Sequence, residues 1–201
     1  MAAAERLPSP RDRPVGFRDG LMLSLLVARP LRRANLVGLT LERTLVCRGK
    51  QWWIEIPAAS TKTKHPIELP WPEPPIAALD IYLSCHRPVL AERYEPGGPA
   101  ADNALWLSRR GGAMSKNGIY DRITKLTLKN LGRSIHPHLF RDCAATSLAI
   151  EDPRHVRIAA SLLGHRRFRT TERFYIQARN IEASRIMQNF LLSLRRGAGV
   201  R

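Results

Sequence analysis

The segment Pro70–Pro75 contains four prolines and separates two kinds of sequence pattern. Proline restricts φ and has no backbone N–H to donate, so neither a helix nor an inner strand can continue through this segment. It is therefore predicted to be a rigid connector. The chain before it contains three short strand candidates with turn residues between them: Thr44–Cys47, Trp52–Ile56 and Pro66–Leu69. The middle candidate alternates as a half-buried strand does, with Ile54 and Ile56 on one face and Trp53 and Glu55 on the other.

The rest of the chain is mostly helical in pattern. Residues 1–14 are predicted to be a flexible lead-in, and 94–103 a surface loop. Ser115 is a suitable N-cap for the helix that follows it. The predicted fold class is mainly α with a small antiparallel β-sheet. Its helices are expected at Phe17–Ala28, 31–39, Ile76–Cys85, Asn117–Leu128, Leu139–Ile150, His155–Leu163, Thr171–Ala178 and about 181–195.

The charge of the chain favours a polyanionic partner. It has 33 Lys and Arg against 17 Asp and Glu, a net charge of +16, and each phosphate that a protein neutralises releases condensed counterions. A hydrophobic content of 44% argues against a disordered basic tail. The apolar run Leu21–Ala28 is too short to span a bilayer, so no membrane partner is expected. Three widely spaced cysteines indicate neither a zinc site nor a disulfide framework.

Four side chains near the C-terminus favour attack on a phosphodiester: His138, Arg141, His165 and Tyr175. A tyrosine hydroxyl is a poor nucleophile at neutral pH unless neighbouring groups assist it. An arginine can bind two phosphate oxygens and stabilise their charge in the transition state. The histidines lack the spacing of zinc ligands, and no paired carboxylates suggest a metal-dependent nuclease. No metal or other cofactor is expected.

From about Gly16 to Arg196 the chain resembles the catalytic domain of the tyrosine recombinases, or phage integrase family. PLRRANLVGL resembles the first arginine box and assigns Arg32. TKTKHPIELP resembles the catalytic β-hairpin and assigns Lys62. The remaining motifs are PHLFRD, LGH and TTERFY, which assign His138 with Arg141, then His165, and then Tyr175. By this resemblance the six active-site positions are all filled, in the order of the family.

The resemblance implies a site-specific recombinase that cleaves and rejoins DNA through a 3′-phosphotyrosyl intermediate on Tyr175. Arg32 and Arg141 would bind the non-bridging oxygens, and His165 would add a hydrogen bond. His138 would accept the tyrosine proton, and Lys62 would protonate the leaving 5′-oxygen. The implied partners are double-stranded DNA and further copies of the chain in a tetrameric synapse, in the nucleoid of the cytoplasm. The basic residues Arg166, Arg167 and Arg169 are candidates for phosphate contacts.

Several alternatives stay open. Arg29 and Arg33 compete with Arg32, and Lys64 competes with Lys62. Pro30 and Asn35 stand where the family has Gly and Glu, and Asp142 where a histidine is common. A type IB topoisomerase would share the chemistry, although LGH and TTERFY fit integrases better.

The expected catalytic domain covers residues 15–196, and only a short Pro/Arg-rich segment precedes it where the family has a core-binding domain. The alternative function is therefore a truncated integrase remnant that binds DNA or partners without recombining it. The apolar face of the last predicted helix has two interpretations: it packs on its own domain or docks on a neighbouring protomer.

Overall fold

The computed structural model describes residues 11–73, 75–95, 101, 103–151 and 187–188. Two compact units divide the chain, residues 1–141 and residues 142–201. The first unit contains most of the described elements. They are α1 (Arg13–Ala28), α2 (Arg33–Val37), β1 (Leu45–Arg48), β2 (Gln51–Ile56), β3 (Ile67–Pro70), α3 (Ile76–Ile81), α4 (Arg87–Ala91), α5 (Lys116–Leu131) and the start of α6 (Pro137–Glu151).

The three strands form one antiparallel sheet in the order β1-β2-β3. Leu45 pairs with Ile54, and Ile54 pairs with Leu69. Ile54 and Ile56 are buried, as the alternating pattern predicts. The turn between β1 and β2 contains Gly49 at φ 65°, a conformation that glycine adopts without a steric penalty. The predicted fold class is confirmed, and each strand lies within a residue of its predicted bounds.

Helix α1 begins earlier than the sequence indicates. It starts at Arg13, with Pro14 in its first turn, instead of near Phe17. The difference arises because proline is well tolerated in the first turn of a helix, where its missing N–H has no partner to lose. Residues 13 and 14 of the predicted lead-in are thus helical, and residues 1–10 lie outside the described part. Leu21, Leu25 and Leu26 of α1 are fully buried in the core of the first unit.

The helix predicted at Ile76–Cys85 continues further, through a π-helical turn at Tyr82–His86 and on into α4. Pro88 explains the change of geometry, because it cannot donate the backbone bond that an α-helix needs there. Tyr82 is fully buried and its hydroxyl donates a hydrogen bond of 2.9 Å to the Leu105 carbonyl. Next to it, Trp106 Nε1 donates to the Leu36 carbonyl at 2.9 Å. The Trp106 bond attaches α2 to the core.

A buried ion cluster joins α1 to α5. Asp19 and Arg18 are each 2% exposed and pair at 2.6 Å, and Arg122 of α5 donates to the other Asp19 oxygen at 2.6 Å. Both carboxylate oxygens of Asp19 are thereby paired. Burying a charge is costly unless it is both paired and hydrogen-bonded, and this cluster meets both conditions.

Helices α5 and α6 agree with their predictions and extend one to three residues beyond them. Ser115 caps α5 by accepting a hydrogen bond from the Gly118 N–H at 3.0 Å. Of the second unit, residues 142–151 complete α6, while Met187 and Gln188 are helical and exposed. The predicted helices at 155–163 and 171–178 lie outside the described residues, as does the rest of 181–195. None of the described helices has both the length and the hydropathy to cross a membrane.

Candidate active site

Arg32 lies at a tight turn between α1 and α2. The Leu31 N–H donates to the Arg29 carbonyl at 2.7 Å, which bends the chain at Pro30. Leu31 is 5% exposed and attaches this turn to the core. Arg32 itself has extended backbone angles at the N-cap of α2, and its side chain is half-buried. Burial lowers the pKa of Arg32, although a guanidinium remains a cation under all ordinary conditions.

Arg141 reaches the same turn from α6. Its side chain is 4% exposed, and Nη1 donates a hydrogen bond of 2.5 Å to the Pro30 carbonyl. Pro30 is two residues before Arg32, whereas it is 111 positions away from Arg141. A buried guanidinium needs such a bond, because an uncompensated buried charge is strongly destabilising. The Arg141 side chain therefore contacts the turn that leads to Arg32, the other arginine that the motifs assign to phosphate binding. We call this turn, residues 29–32, the arginine turn.

His138 lies in the first turn of α6 and is exposed. It precedes Arg141 by three positions, so the two side chains are on adjacent parts of the helix surface. The residue before the helix helps to start it, because His136 Nδ1 accepts a hydrogen bond from the Leu139 N–H at 3.2 Å. This cap is a structural role for His136.

Lys62 lies on the loop between β2 and β3, as the hairpin motif predicts. Its side chain is exposed, between the buried Thr61 and Thr63. The Thr61 hydroxyl lies 3.1 Å from the Ala58 carbonyl and 2.8 Å from the His65 carbonyl, so it stabilises both ends of the loop. Within the described part of the chain Lys62 forms no ion pair. Lys62 and Arg32 lie on different elements of the fold.

The competing cations differ in their surroundings. Lys64 has a left-handed backbone at φ 59°, which costs energy in a non-glycine residue. Arg33 is exposed, and its guanidinium carbon lies 5.5 Å from the centre of the Tyr120 ring. Arg29 is half-buried at the end of α1. Arg32 occupies the N-cap position of α2 without a side-chain capping bond, and Arg29 directly precedes Pro30, so both border the turn to which Arg141 bonds.

The remaining predicted site residues lie outside the described residues: His165, Arg166, Arg167, Arg169 and Tyr175. Among the residues that are described, no group of three or more possible metal ligands occurs. The part of the candidate site that the structure describes thus contains Arg32, Arg141 and His138, together with Lys62 on the loop between β2 and β3, which we call the lysine loop.

Two contacts of this site have no counterpart in the motifs. One is the bond from Arg141 to Pro30, which uses a main-chain oxygen and so leaves no mark on residue type. The other is the stack of Arg33, Tyr120 and His136. A tyrosine on an exposed helix face carries no sequence signal that distinguishes it from an ordinary surface residue.

The family model described as the phage integrase family matches residues 1–181. The chain belongs to the phage integrase family. The resemblance drawn from the motifs is therefore confirmed. Tyrosine recombinase XerD of Pseudomonas aeruginosa is 33% identical over 162 residues, which are 80% of this chain and 50% of that protein. Tyrosine recombinase XerC of Azotobacter vinelandii is 30% identical over 158 residues, which are 79% of this chain and 48% of that protein. This integrase-family chain thus spans about half the length of the curated relatives it matches.

Solved structures of recombinases share the fold. The XerH site-specific recombinase bound to palindromic difH substrate, a post-cleavage complex, matches with a TM-score of 0.63 at 18% identity and covers 93% of this chain and 50% of that one. The XerA recombinase matches with a TM-score of 0.58 at 19% identity, over 80% of this chain and 52% of that one. These likenesses support the fold of this phage integrase family member.

Proposed function

We propose that this chain is the catalytic part of a site-specific recombinase that cleaves and rejoins duplex DNA through a 3′-phosphotyrosyl intermediate on Tyr175. The observation that carries the proposal is the bond from the buried Arg141 to Pro30, beside Arg32. Arg141 bonds to this turn and Arg32 lies at its end, and their guanidiniums are proposed to act as paired donors to the non-bridging oxygens of a phosphodiester. Donors that are already in place need no reorganisation as charge develops in the transition state.

The proposed cleavage step is a transesterification. The Tyr175 hydroxyl oxygen attacks the phosphorus and the bond from phosphorus to the 5′-oxygen breaks. The phenolic proton passes to His138, and Lys62 donates a proton to the leaving 5′-oxygen. His165 adds a hydrogen bond to the phosphate oxygens. The phosphodiester energy is conserved in the covalent link, and attack by a 5′-hydroxyl in the reverse step reseals the strand.

The proposed partner is double-stranded DNA, with several copies of the chain assembled on it. The net charge of +16 supports a polyanionic partner. Binding of this kind weakens steeply as salt rises, because the released counterions must be recaptured. Arg166, Arg167 and Arg169 are proposed to contact phosphates close to Tyr175.

A nicked suicide substrate tests the proposal, because loss of a short fragment traps the covalent intermediate. We expect an SDS-resistant adduct between protein and DNA that Tyr175→Phe abolishes. Tyr94→Phe is the matched control and should form the adduct at the rate of the unaltered protein. Duplex binding without an adduct in the unaltered protein would reject the enzyme in favour of a DNA-binding remnant.

A further inference from the structure

Three side chains form a stack beside the arginine turn. The Arg33 guanidinium carbon lies 5.5 Å from the centre of the Tyr120 ring. The Tyr120 and His136 rings are stacked, with centres 6.4 Å apart and planes inclined by 11°. Tyr120 is 37% exposed, so the stack lies at the surface. We call Arg33, Tyr120 and His136 the aromatic stack.

Each member of the aromatic stack comes from a different segment of the first unit. Arg33 directly follows Arg32 and begins α2, while Tyr120 lies in the first half of α5. His136 precedes His138 by two positions and caps α6 through its bond to the Leu139 N–H. The Tyr120 ring thus connects the segment that carries Arg32 with the helix that carries His138 and Arg141.

The aromatic stack is not needed to hold these segments in the fold. The buried Thr127 hydroxyl accepts a hydrogen bond of 2.8 Å from the Ile135 N–H, which attaches the start of α6 to α5. Trp106 attaches α2 to the core through the Leu36 carbonyl. A cation over an exposed ring contributes little to stability by comparison with the buried core. What the stack adds is a contact at the surface between the start of α2, next to Arg32, and the start of α6.

We propose that Tyr120 is a positioning residue: its ring, which contacts both Arg33 and His136, holds the Arg32 segment in register with the start of α6. This rests on the proposed function, in which Arg32 and Arg141 bind the same phosphate. Misplacement of one guanidinium relative to the other weakens transition-state binding more than it weakens ground-state binding of the duplex. Tyr120 is therefore expected to affect the rate of cleavage and leave DNA affinity nearly unchanged.

Single-turnover cleavage of the suicide substrate at saturating protein measures this effect. Tyr120→Leu keeps an apolar, helix-favouring side chain and removes the ring. We expect adduct formation to slow by roughly tenfold, with the Kd for duplex changed less than about twofold. Tyr120→Trp restores a ring that binds cations well and should recover most of the rate. A thermal melt should give nearly the same Tm for all three proteins.

Trp53 offers a matched control, since the Arg48 guanidinium carbon lies 5.3 Å from its ring centre on the sheet. Trp53→Leu should leave the cleavage rate unchanged. An equal slowing in Trp53→Leu and Tyr120→Leu would overturn the proposal, as would a normal rate in Tyr120→Leu. Loss of duplex affinity with a normal rate at saturation would make Tyr120 a DNA contact instead. Absence of adduct in the unaltered protein would reject the proposed function itself, and this inference with it.

Discussion

The arginine turn and the lysine loop differ in how deeply they bury their cationic side chains. Arg141 is 4% exposed and bonded to the main chain at Pro30, and Arg32, two residues after Pro30, is half-buried, with its pKa lowered by burial. Lys62 is exposed on the loop between β2 and β3, and its position depends on the Thr61 hydroxyl. One part of the site is built into the core, whereas the other is carried on a surface loop.

The difference matches the two tasks proposed for them. A group that binds phosphate oxygens stabilises the transition state best when it is already in place. A proton donor must instead reach the leaving oxygen and exchange its proton with solvent between reactions, which an exposed side chain on a loop can do. Substitutions at Arg141 should therefore act through geometry, and substitutions at Lys62 through charge and proton supply.

The largest effect is expected at Arg141. Arg141→Lys keeps the positive charge but cannot bond to the turn and a phosphate with the same planar fork. We expect the rate of adduct formation to fall by roughly 10³-fold, as for the loss of a donor to transition-state charge. Duplex binding, measured by fluorescence anisotropy, should change only a few-fold. The control is Arg110→Lys at an exposed position, and a normal rate in Arg141→Lys would show that the fork geometry is irrelevant.

A smaller effect is expected on the loop, where Lys62 and Lys64 can be separated. Lys62→Ala should slow cleavage by about 10²-fold, because the leaving oxygen loses its acid. A substrate with a 5′-bridging sulfur needs no proton on departure, and it should restore the rate of Lys62→Ala. Lys64→Gly should leave the rate unchanged and raise stability by about 1 kcal/mol or less, because glycine adopts φ 59° without strain. The reverse pattern would transfer the acid role to Lys64.

The smallest effect at neutral pH is expected from substitution of Tyr82, which lies in the hydrophobic core of the first unit. Burial raises the pKa of Tyr82 to about 12, from about 10 in the unfolded chain. The neutral phenol therefore stabilises the fold fully below about pH 10, and this contribution is lost as the pH rises through about 12. Tyr82→Phe should lose about 1 kcal/mol at pH 7, since the Leu105 carbonyl loses its donor.

Urea unfolding at pH 8, 10 and 11 measures this contribution. The stability of the unaltered protein should fall more steeply above pH 10 than that of Tyr82→Phe, and the two should converge. Parallel curves would mean that the Tyr82 phenol is not coupled to folding. If the cleavage rate of Tyr82→Phe falls only in proportion to its folded fraction, the role of Tyr82 is to stabilise the fold.

The elements with strong local signals were predictable from the sequence. The alternation around Ile54 and the turn at Gly49 determine the sheet, and Ser115 determines the start of α5. The π-helical turn before Pro88 was not predictable from the sequence, because a periodic apolar pattern does not distinguish a regular α-helix from one that widens locally. The early start of α1 was missed because a Pro/Arg-rich segment lacks the apolar period on which the prediction relied.

For the candidate site, the sequence motifs assign residues but do not predict the contacts that those residues make in the fold. The motifs assign Arg32 and Arg141, but the bond from Arg141 to the Pro30 carbonyl is a contact between distant parts of the chain that no local pattern encodes. The same holds for Tyr120, whose partners come from two other segments. The catalytic roles of all six assigned residues stay predictions, and two of them, His165 and Tyr175, lie outside the described part of the chain.

The partner of Arg141 is a main-chain oxygen, which every amino acid supplies. The amino acid at position 30 can therefore change during evolution without loss of the hydrogen bond from Arg141, provided that the chain still bends at this position. An alignment of homologues should show an invariant arginine with no co-varying position opposite it, and contact inference from sequence co-variation would overlook this pairing.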